Sequence, residues 1–322
     1  MKFLSNYFKM SVKLKIILCF CFLSLFVEIS KVNCNSNNNT VKIHSLSSKT
    51  NSRDTIHRII GGYRTDELSL AKFLVSIRTK SIFLDLFPSY FGTDHICGGS
   101  ILNSQMILTA AHCLVEGEEA VTPSSLKVVA KTPKRLNKVP QTEILAVKKV
   151  LIHPLYDAKD FHNDIGLLKL KDEITLDGIW AEKTRLPNMG PIIHSKCTVI
   201  GWGCMFEGGP LSNDILYVDV IIYEPSFCET YFPALGEKKI CAADKDSPEM
   251  NVCPGDSGGP LFCNDVLTGI VSYKHDGEEE LPAVYTDVFS HLDWIDRNSG
   301  CELYFVCVWT WLIDLILVVL LI

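Results

Sequence analysis

An all-β domain, built as a sandwich or a barrel, is what the sequence predicts, and three observations predict it. Short runs of β-branched residues recur through the middle of the chain, at residues 127–129, 144–152, 198–200, 217–222, 267–273 and 283–288. Gly, Pro, Asn and Asp fall between them, the residues of tight turns. Only one late segment, residues 290–297 (SHLDWIDR), reads as a helix, and no heptad or internal repeat is present.

Taken in order, the runs read KVV, ILAVKKVLI, TVI, YVDVII, LTGIVSY and AVYTDV. Val, Ile, Thr and Tyr dominate, and these side chains suit a pleated, half-buried surface. The chain has 322 residues, enough for one large β-rich domain with processed or anchoring ends. Its 31 basic and 37 acidic residues leave a net charge of −6, the wrong sign for a nucleic-acid footprint. An apolar share of 47% supplies a core and excludes low-complexity disorder. The cysteine count of 13 is high for a reducing compartment and odd for a fully bridged secreted protein.

The ends account for part of this. Lys2, Lys9, Lys13 and Lys15 precede an uncharged apolar run at residues 16–27, the pattern of a cleaved secretory signal. The run is short for a membrane-spanning signal anchor. Residues 1–34 are therefore expected to be a signal peptide, with cleavage near Val32-Asn33-Cys34. Residues 35–58 are rich in Asn, Ser and Thr and read as an exposed segment, with a glycosylation sequon at Asn38-Asn39-Thr40. Residues 304–322 are apolar and long enough to span a membrane, but Asp314 within them costs about 2.5–3.5 kcal/mol on insertion scales. Asn298-Ser299-Gly300 would suit a lipid-anchor signal, yet the polar spacer such a signal needs is missing. A membrane tether and a tail packed on the domain both stay open for residues 301–322. Cys19, Cys21, Cys34, Cys301 and Cys307 lie in these ends and leave 8 cysteines between them.

Three motifs in the middle carry chemistry. Thr109-Ala110-Ala111-His112-Cys113 holds a histidine, His162-Asn163-Asp164-Ile165-Gly166 an aspartate beside an apolar run, and Gly255-Asp256-Ser257-Gly258-Gly259-Pro260 a serine in a glycine-rich turn. A serine hydroxyl is a poor nucleophile until a base within hydrogen-bond reach takes its proton. The imidazole in turn needs a buried carboxylate to fix its tautomer and stabilise its charged form. Each motif alone is weak; the order His, Asp, Ser is specific and differs from that of subtilisins and α/β-hydrolases.

On these motifs the chain resembles the chymotrypsin-like (trypsin-fold) serine proteases, from residue 59 to about residue 300. The resemblance implies two six-stranded antiparallel β-barrels followed by a C-terminal helix. It implies that His112 is the general base and acid, Asp164 its orienter and Ser257 the nucleophile, with the N–H groups of Gly255 and Ser257 as the oxyanion hole. Arg58-Ile59-Ile60-Gly61-Gly62 matches the family's activation site. Cleavage after Arg58 by another protease would free the α-amino group of Ile59 to pair with Asp256, making residues 35–58 a propeptide and 59–300 the protease domain. The partners implied are peptide or protein substrates and protease inhibitors, with no cofactor and no nucleic acid. Secretion follows from the signal.

The specificity pocket departs from the family. Asn251 stands where trypsin-like members carry the aspartate that binds Lys or Arg, and a neutral amide cannot neutralise a buried cation. In the pocket wall, after Ser272, Lys274 replaces a glycine; it would narrow the entrance, attract an acidic side chain or point to solvent. Ala283, also a common glycine position, narrows the pocket further. Cleavage after small, neutral or acidic residues is expected, against a rival reading as a catalytically silent, protease-like binding or regulatory protein with an occluded pocket. Residues 128–142, where some members bind calcium, contain Lys131, Lys134, Arg135 and Lys138 but no carboxylate, so no metal is expected. Family matching pairs Cys97–Cys113, Cys197–Cys263 and Cys228–Cys241. The family partner of Cys253 is missing from residues 275–282, and Cys204 is also left over, so a Cys204–Cys253 bridge is expected.

Overall fold

Strands with an exposed position among buried ones, such as Leu216–Ile222, and strands buried throughout, such as Pro260–Cys263, close into two sheets. The computed structural model describes residues 69–80, 91–117, 119–206, 208–233, 235–244, 252–274 and 281–299. The expected signal (1–34), the propeptide (35–58) with Asn38 and Arg58, Ile59, Asn251 and the tail (301–322) lie outside the described residues.

The first barrel comprises β1 (Leu74–Thr79), β2 (His95–Asn103), β3 (Met106–Thr109), β6 (Leu126–Ala130), β7 (Glu143–Ile152) and β8 (Gly166–Leu170), closed in the order β1-β2-β3-β8-β7-β6. A small ribbon, β4 (Val115–Glu116) with β5 (Glu119–Ala120), lies between β3 and β6 in sequence. The second barrel comprises β9 (Lys196–Gly201), β10 (Leu216–Ile222), β11 (Lys239–Ala243), β12 (Pro260–Cys263), β13 (Val266–Tyr273) and β14 (Ala283–Asp287), closed as β10-β11-β14-β13-β12-β9. The two six-stranded antiparallel barrels expected from the resemblance are thus both present. Closure removes the free edges that an open sheet leaves exposed.

Every β-branched run read from the sequence falls on one of these strands, the last of them overrunning β14 by Val288 alone. The strands the runs omit include β2 (HICGGSILN), with two glycines in its middle, and β1 (LVSIRT). Alternation places the core: in β10, Asp219 is exposed between buried Val218 and Val220. At the β12–β13 hairpin, Asn264 and Asp265 both take positive φ, 51° and 60°, as a type I′ turn requires. That tight turn sends the chain back immediately after the serine-bearing loop.

Two helices complete the described fold. α1 (Pro225–Glu229) starts with proline at its first turn, a position where the missing N–H costs nothing. α2 (Leu292–Asn298) begins later than the 290–297 reading, because the Asp287 carboxylate accepts from the Phe289 N–H at 3.0 Å and from the Ser290 hydroxyl. Those bonds tighten Phe289–His291 into a 3₁₀ turn before the α-helix starts. Among the described residues no helix is long and apolar enough to cross a membrane.

Four disulfides brace the barrels: Cys97–Cys113, Cys197–Cys263, Cys228–Cys241 and the non-standard Cys204–Cys253, whose Cα atoms are 6.3, 4.2, 6.2 and 5.5 Å apart. The loop after β6 holds its own cation. Lys131 adopts φ 56° and its ammonium lies 3.0 Å from both Glu143 Oε1 and Asp177 Oδ2. Asp177 Oδ1 in turn accepts the N–H groups of Trp180, Ile179 and Ala181. The Trp180 N–H is the largest influence holding the Asp177 carboxyl well below the ordinary range, with the Ile179 N–H and Lys131 adding to it against a smaller desolvation cost.

A carboxyl depressed in the folded state lends stability above its unfolded value, and that stability is lost as pH falls below it. Asp177→Asn is therefore expected to flatten the loss of thermal stability on acidification below about pH 4. Melting temperatures of the variant and the unsubstituted protein across an acid series check this; parallel curves would contradict it.

Candidate active site

The site forms where β8 and the loop before it meet the second barrel. Asp164 precedes β8, and its carboxylate has no exposure to solvent. Burial of this charge is tolerated only if its oxygens find donors. Oδ1 accepts the His112 backbone N–H at 2.9 Å, and Oδ2 accepts His112 Nδ1–H at 2.8 Å and the Ser272 hydroxyl at 2.6 Å. The backbone carbonyl of Asp164 accepts the Thr286 hydroxyl at 2.8 Å. A carboxylate that only accepts fixes the proton of His112 on Nδ1 and turns Nε2 outward, where it sits 3.7 Å from Cys113 Sγ.

His112 follows β3 in a 3₁₀ turn locked by the Cys97–Cys113 disulfide. Ser257 approaches from the other barrel. Its carbonyl accepts the Gly98 N–H at 2.8 Å, so the serine-bearing loop is pinned to β2 of the first barrel. A side chain on Gly258, at φ 74°, would drive Cβ to 2.1 Å from Thr109 Oγ1, so only glycine permits this approach. His112, Ser257, Gly255 and Pro254 line one cleft of about 500 Å³, with the Cys97–Cys113 disulfide in its wall.

The expected residues are therefore brought together as follows. His112 and Asp164 are bonded, and Ser257 and Gly255 share the cleft with His112. Asp256 turns away from the cleft, into the second barrel: Oδ1 accepts the Gly203 N–H at 2.7 Å and Oδ2 the Cys253 N–H at 3.1 Å. A Cβ at Gly203 would fall 2.0 Å from Asp256 Oδ2, so glycine makes room for the carboxylate. Burial pushes the Asp256 carboxyl up to about 7, against the two N–H bonds that favour its ionised form. Of the pocket residues, Ala283 is fully buried at the start of β14 and Lys274 is half-buried after β13.

Ser272 does something sequence reading missed. The β13–β14 ladder shifts register between Val271 and Tyr273, so Ser272 sits in a bulge. A bulge re-aims a side chain, here onto the Asp164 carboxylate. Phe161 was missed as well: its ring meets His112 edge-on at 5.8 Å and Tyr273 at 5.1 Å, forming an aromatic wall beside the imidazole. The lysine behind that wall, Lys239, lies 4.8 Å from the Tyr273 ring centre and donates to the Asp160 carbonyl at 2.6 Å. Nothing local marks these residues, because their partners are remote in sequence. Among the described residues, Cys97, His112 and Cys113 bring ligand-type atoms close enough for a metal, but the two sulfurs are bonded to each other.

Two closed barrels with such a pair at their seam define the double-barrel serine proteases. A family model described as Trypsin matches residues 59–295, and the chain belongs to that family. It is 33% identical to Trypsin zeta of Drosophila melanogaster over 248 residues, covering 74% of this chain and 85% of the relative. Chymotrypsin-2 of Vespa crabro is 34% identical over 207 residues, or 64% of this chain and 89% of the relative. Among solved structures, neuropsin, a serine protease expressed in the limbic system of mouse brain, aligns with a TM-score of 0.62 and 26% identity, covering 74% of this chain and 99% of that one. The chain is accordingly a serine endopeptidase whose substrates are peptides or proteins.

Hydrogen bonds to an ionised group contribute about 1.5–3 kcal/mol. Ser272→Ala removes one from Asp164 and is expected to lower kcat about tenfold with little change in KM. Steady-state kinetics normalised by active-site titration test this; an unchanged kcat would show that the Ser272 hydroxyl is dispensable.

Proposed function

We propose that this chain is a secreted, zymogen-activated serine endopeptidase that hydrolyses peptide bonds through His112, Asp164 and Ser257. The observation that carries the reading is the His112 Nδ1–Asp164 bond facing a cleft that Ser257 also lines. His112 Nε2 takes the Ser257 hydroxyl proton as Oγ attacks the substrate carbonyl, and Asp164 stabilises the imidazolium. The N–H groups of Gly255 and Ser257 bind the oxyanion, where one lost donor costs about 2.7–4 kcal/mol. His112 then protonates the leaving amine, and water repeats the sequence on the acyl-enzyme to release the acid.

Activation is proposed to follow cleavage after Arg58. Burial raises the Asp256 carboxyl to about 7, and the α-amino cation of Ile59 placed beside it would favour the ionised form and complete a buried pair. With Asn251 in place of an acid in the pocket, and Lys274 and Ala283 beside it, cleavage after small, neutral or acidic residues is proposed over cleavage after Lys or Arg.

Protein cleaved after Arg58 is expected to label with a fluorophosphonate probe at Ser257, and Ser257→Ala to abolish the labelling. Unlabelled cleaved protein would sink the enzyme reading. A peptide library on the same material reports the residue preference; strong cleavage after Lys or Arg would overturn the pocket assignment.

The activation reading has its own pH signature. A group whose folded value is raised contributes stability that is full below its unfolded value and lost as pH rises through the folded one. Uncleaved protein should therefore lose melting temperature between about pH 4, the unfolded carboxylate value, and the folded value near 7. Cleaved protein, with its new cation, should not. Identical melting profiles for the two forms would count against the Ile59–Asp256 pairing.

A further inference from the structure

Two arginines are buried behind the serine-bearing loop, and neither belongs to the motifs read from the sequence. Arg78 on β1 has no exposure, and Arg135 in the loop after β6 is 6% exposed. Arg78 Nε donates to Ser76 Oγ at 2.8 Å, Ser76 Oγ meets His95 Nδ1 at 2.8 Å, and His95 Nε2 meets the Gly255 carbonyl at 2.9 Å. Donor and acceptor roles run one way along this chain. A guanidinium can only donate, so the Ser76 hydroxyl proton points to His95. A carbonyl can only accept, so His95 carries its proton on Nε2. His95 is thereby the neutral Nε2–H tautomer, donating to the Gly255 carbonyl.

The electrostatics agree with that assignment. Burial pushes His95 down to about 4; its bond to Gly255 and the Asp94 carboxylate oppose the shift, while the cations of Arg135 and Arg78 reinforce it. The His95 and Trp202 rings meet in a T-shaped contact with their centres 5.6 Å apart.

Arg135 reaches the same loop by another route. Its Nε donates to the Ser212 carbonyl at 2.9 Å, Nη2 to the Leu211 carbonyl at 3.0 Å and Nη1 to the Gly92 carbonyl at 2.6 Å. Leu211 covers Gly255, for a Cβ there would lie 2.9 Å from Leu211 Cδ2. Arg78 Nη2 donates to the Arg135 carbonyl at 3.1 Å, which joins the two arms. The Arg78 cation is held over the Phe91 ring at 4.3 Å and lies 3.8 Å from Asp94 Oδ1, and Lys127 pairs with the other oxygen of Asp94.

We propose that Arg78 and Arg135 are positioning residues for the oxyanion hole: Arg78 orients the Gly255 carbonyl through Ser76 and His95, and Arg135 holds the Leu211 cover over Gly255. Gly255 sits at φ 99°; fixing its carbonyl sets the peptide plane shared with the Asp256 N–H, and the Leu211 cover confines the same turn from the other side, so together they limit where the Gly255 N–H can aim. The proposal rests on the reading of Gly255 N–H as an oxyanion donor. Neither arginine touches substrate; both act through groups that hold the donor.

The test uses full-length protein cleaved after Arg58, with kcat, KM and the affinity of a peptide aldehyde, whose hemiacetal oxygen occupies the oxyanion hole. Ser76→Ala, Arg78→Met and Arg135→Met are each expected to lower kcat about tenfold, because small misplacements of a catalytic group cost about that much or more. Aldehyde affinity should fall in parallel while KM stays within about twofold, the mark of an interaction made in the transition state. Arg78→Lys, which keeps a donor for Ser76, should recover part of the loss. Should Arg78→Met fail to fold, Ser76→Ala breaks the same chain with Arg78 in place and decides the matter. Unchanged kcat and aldehyde affinity in Ser76→Ala, or a change in KM alone, would overturn the proposal. Absence of fluorophosphonate labelling in the unsubstituted protein would instead overturn the protease reading itself.

Discussion

One buried carboxylate sets the terms for the rest of the molecule. Asp164 lies just before β8 of the first barrel, but the Ser272 hydroxyl and the Thr286 hydroxyl that bind its carboxylate and carbonyl come from β13 and β14 of the second. An ion taken out of water costs several kcal/mol unless its lone pairs are filled. Here they are filled only when both barrels are in place. The residue that orients the imidazole is therefore also a rivet between the barrels, and correct docking is a condition for satisfying its charge.

The serine-bearing loop is held with comparable redundancy. Gly98 N–H binds the Ser257 carbonyl, Gly203 N–H binds the Asp256 carboxylate, and the Cys204–Cys253 disulfide ties the segment just before the loop. Glycine recurs at these contacts because a Cβ has no room: at Gly98 it would lie 2.9 Å from Gly259 Cα, and at Gly203 it would lie 2.0 Å from Asp256 Oδ2. Preorganisation of this sort matters for chemistry that depends on donors aimed at developing charge, since donors fixed in advance need no reorganisation as the reaction proceeds.

What could be read in the sequence was local or countable. The segments around His112, Asp164 and Ser257 carry their motifs within a few residues, and the family resemblance, by pairing six of the eight middle cysteines, left over Cys204 and Cys253, the pair found in the structure. What could not be read depends on several distant segments at once. The Ser272 side chain is aimed by a bulge that exists only in the β13–β14 pairing, and Phe161 reaches His112 through a loop turned by positive φ at Phe161 and Asn163. Lys131 shows the same limit from another side. Residues 128–142 hold no carboxylate, yet one partner of Lys131, Glu143, lies just past that window and the other, Asp177, comes from the connection between the barrels.

The Cys204–Cys253 bridge also divides inheritance within the site. It fastens the segment before Ser257 to a loop of its own barrel after β9, while residues 275–280, downstream of Lys274, contain no cysteine. Insertions, deletions or grafts in that stretch leave the bridge ahead of Ser257 untouched. The sequence of that stretch can therefore be rewritten without removing a disulfide from the barrel that carries Ser257.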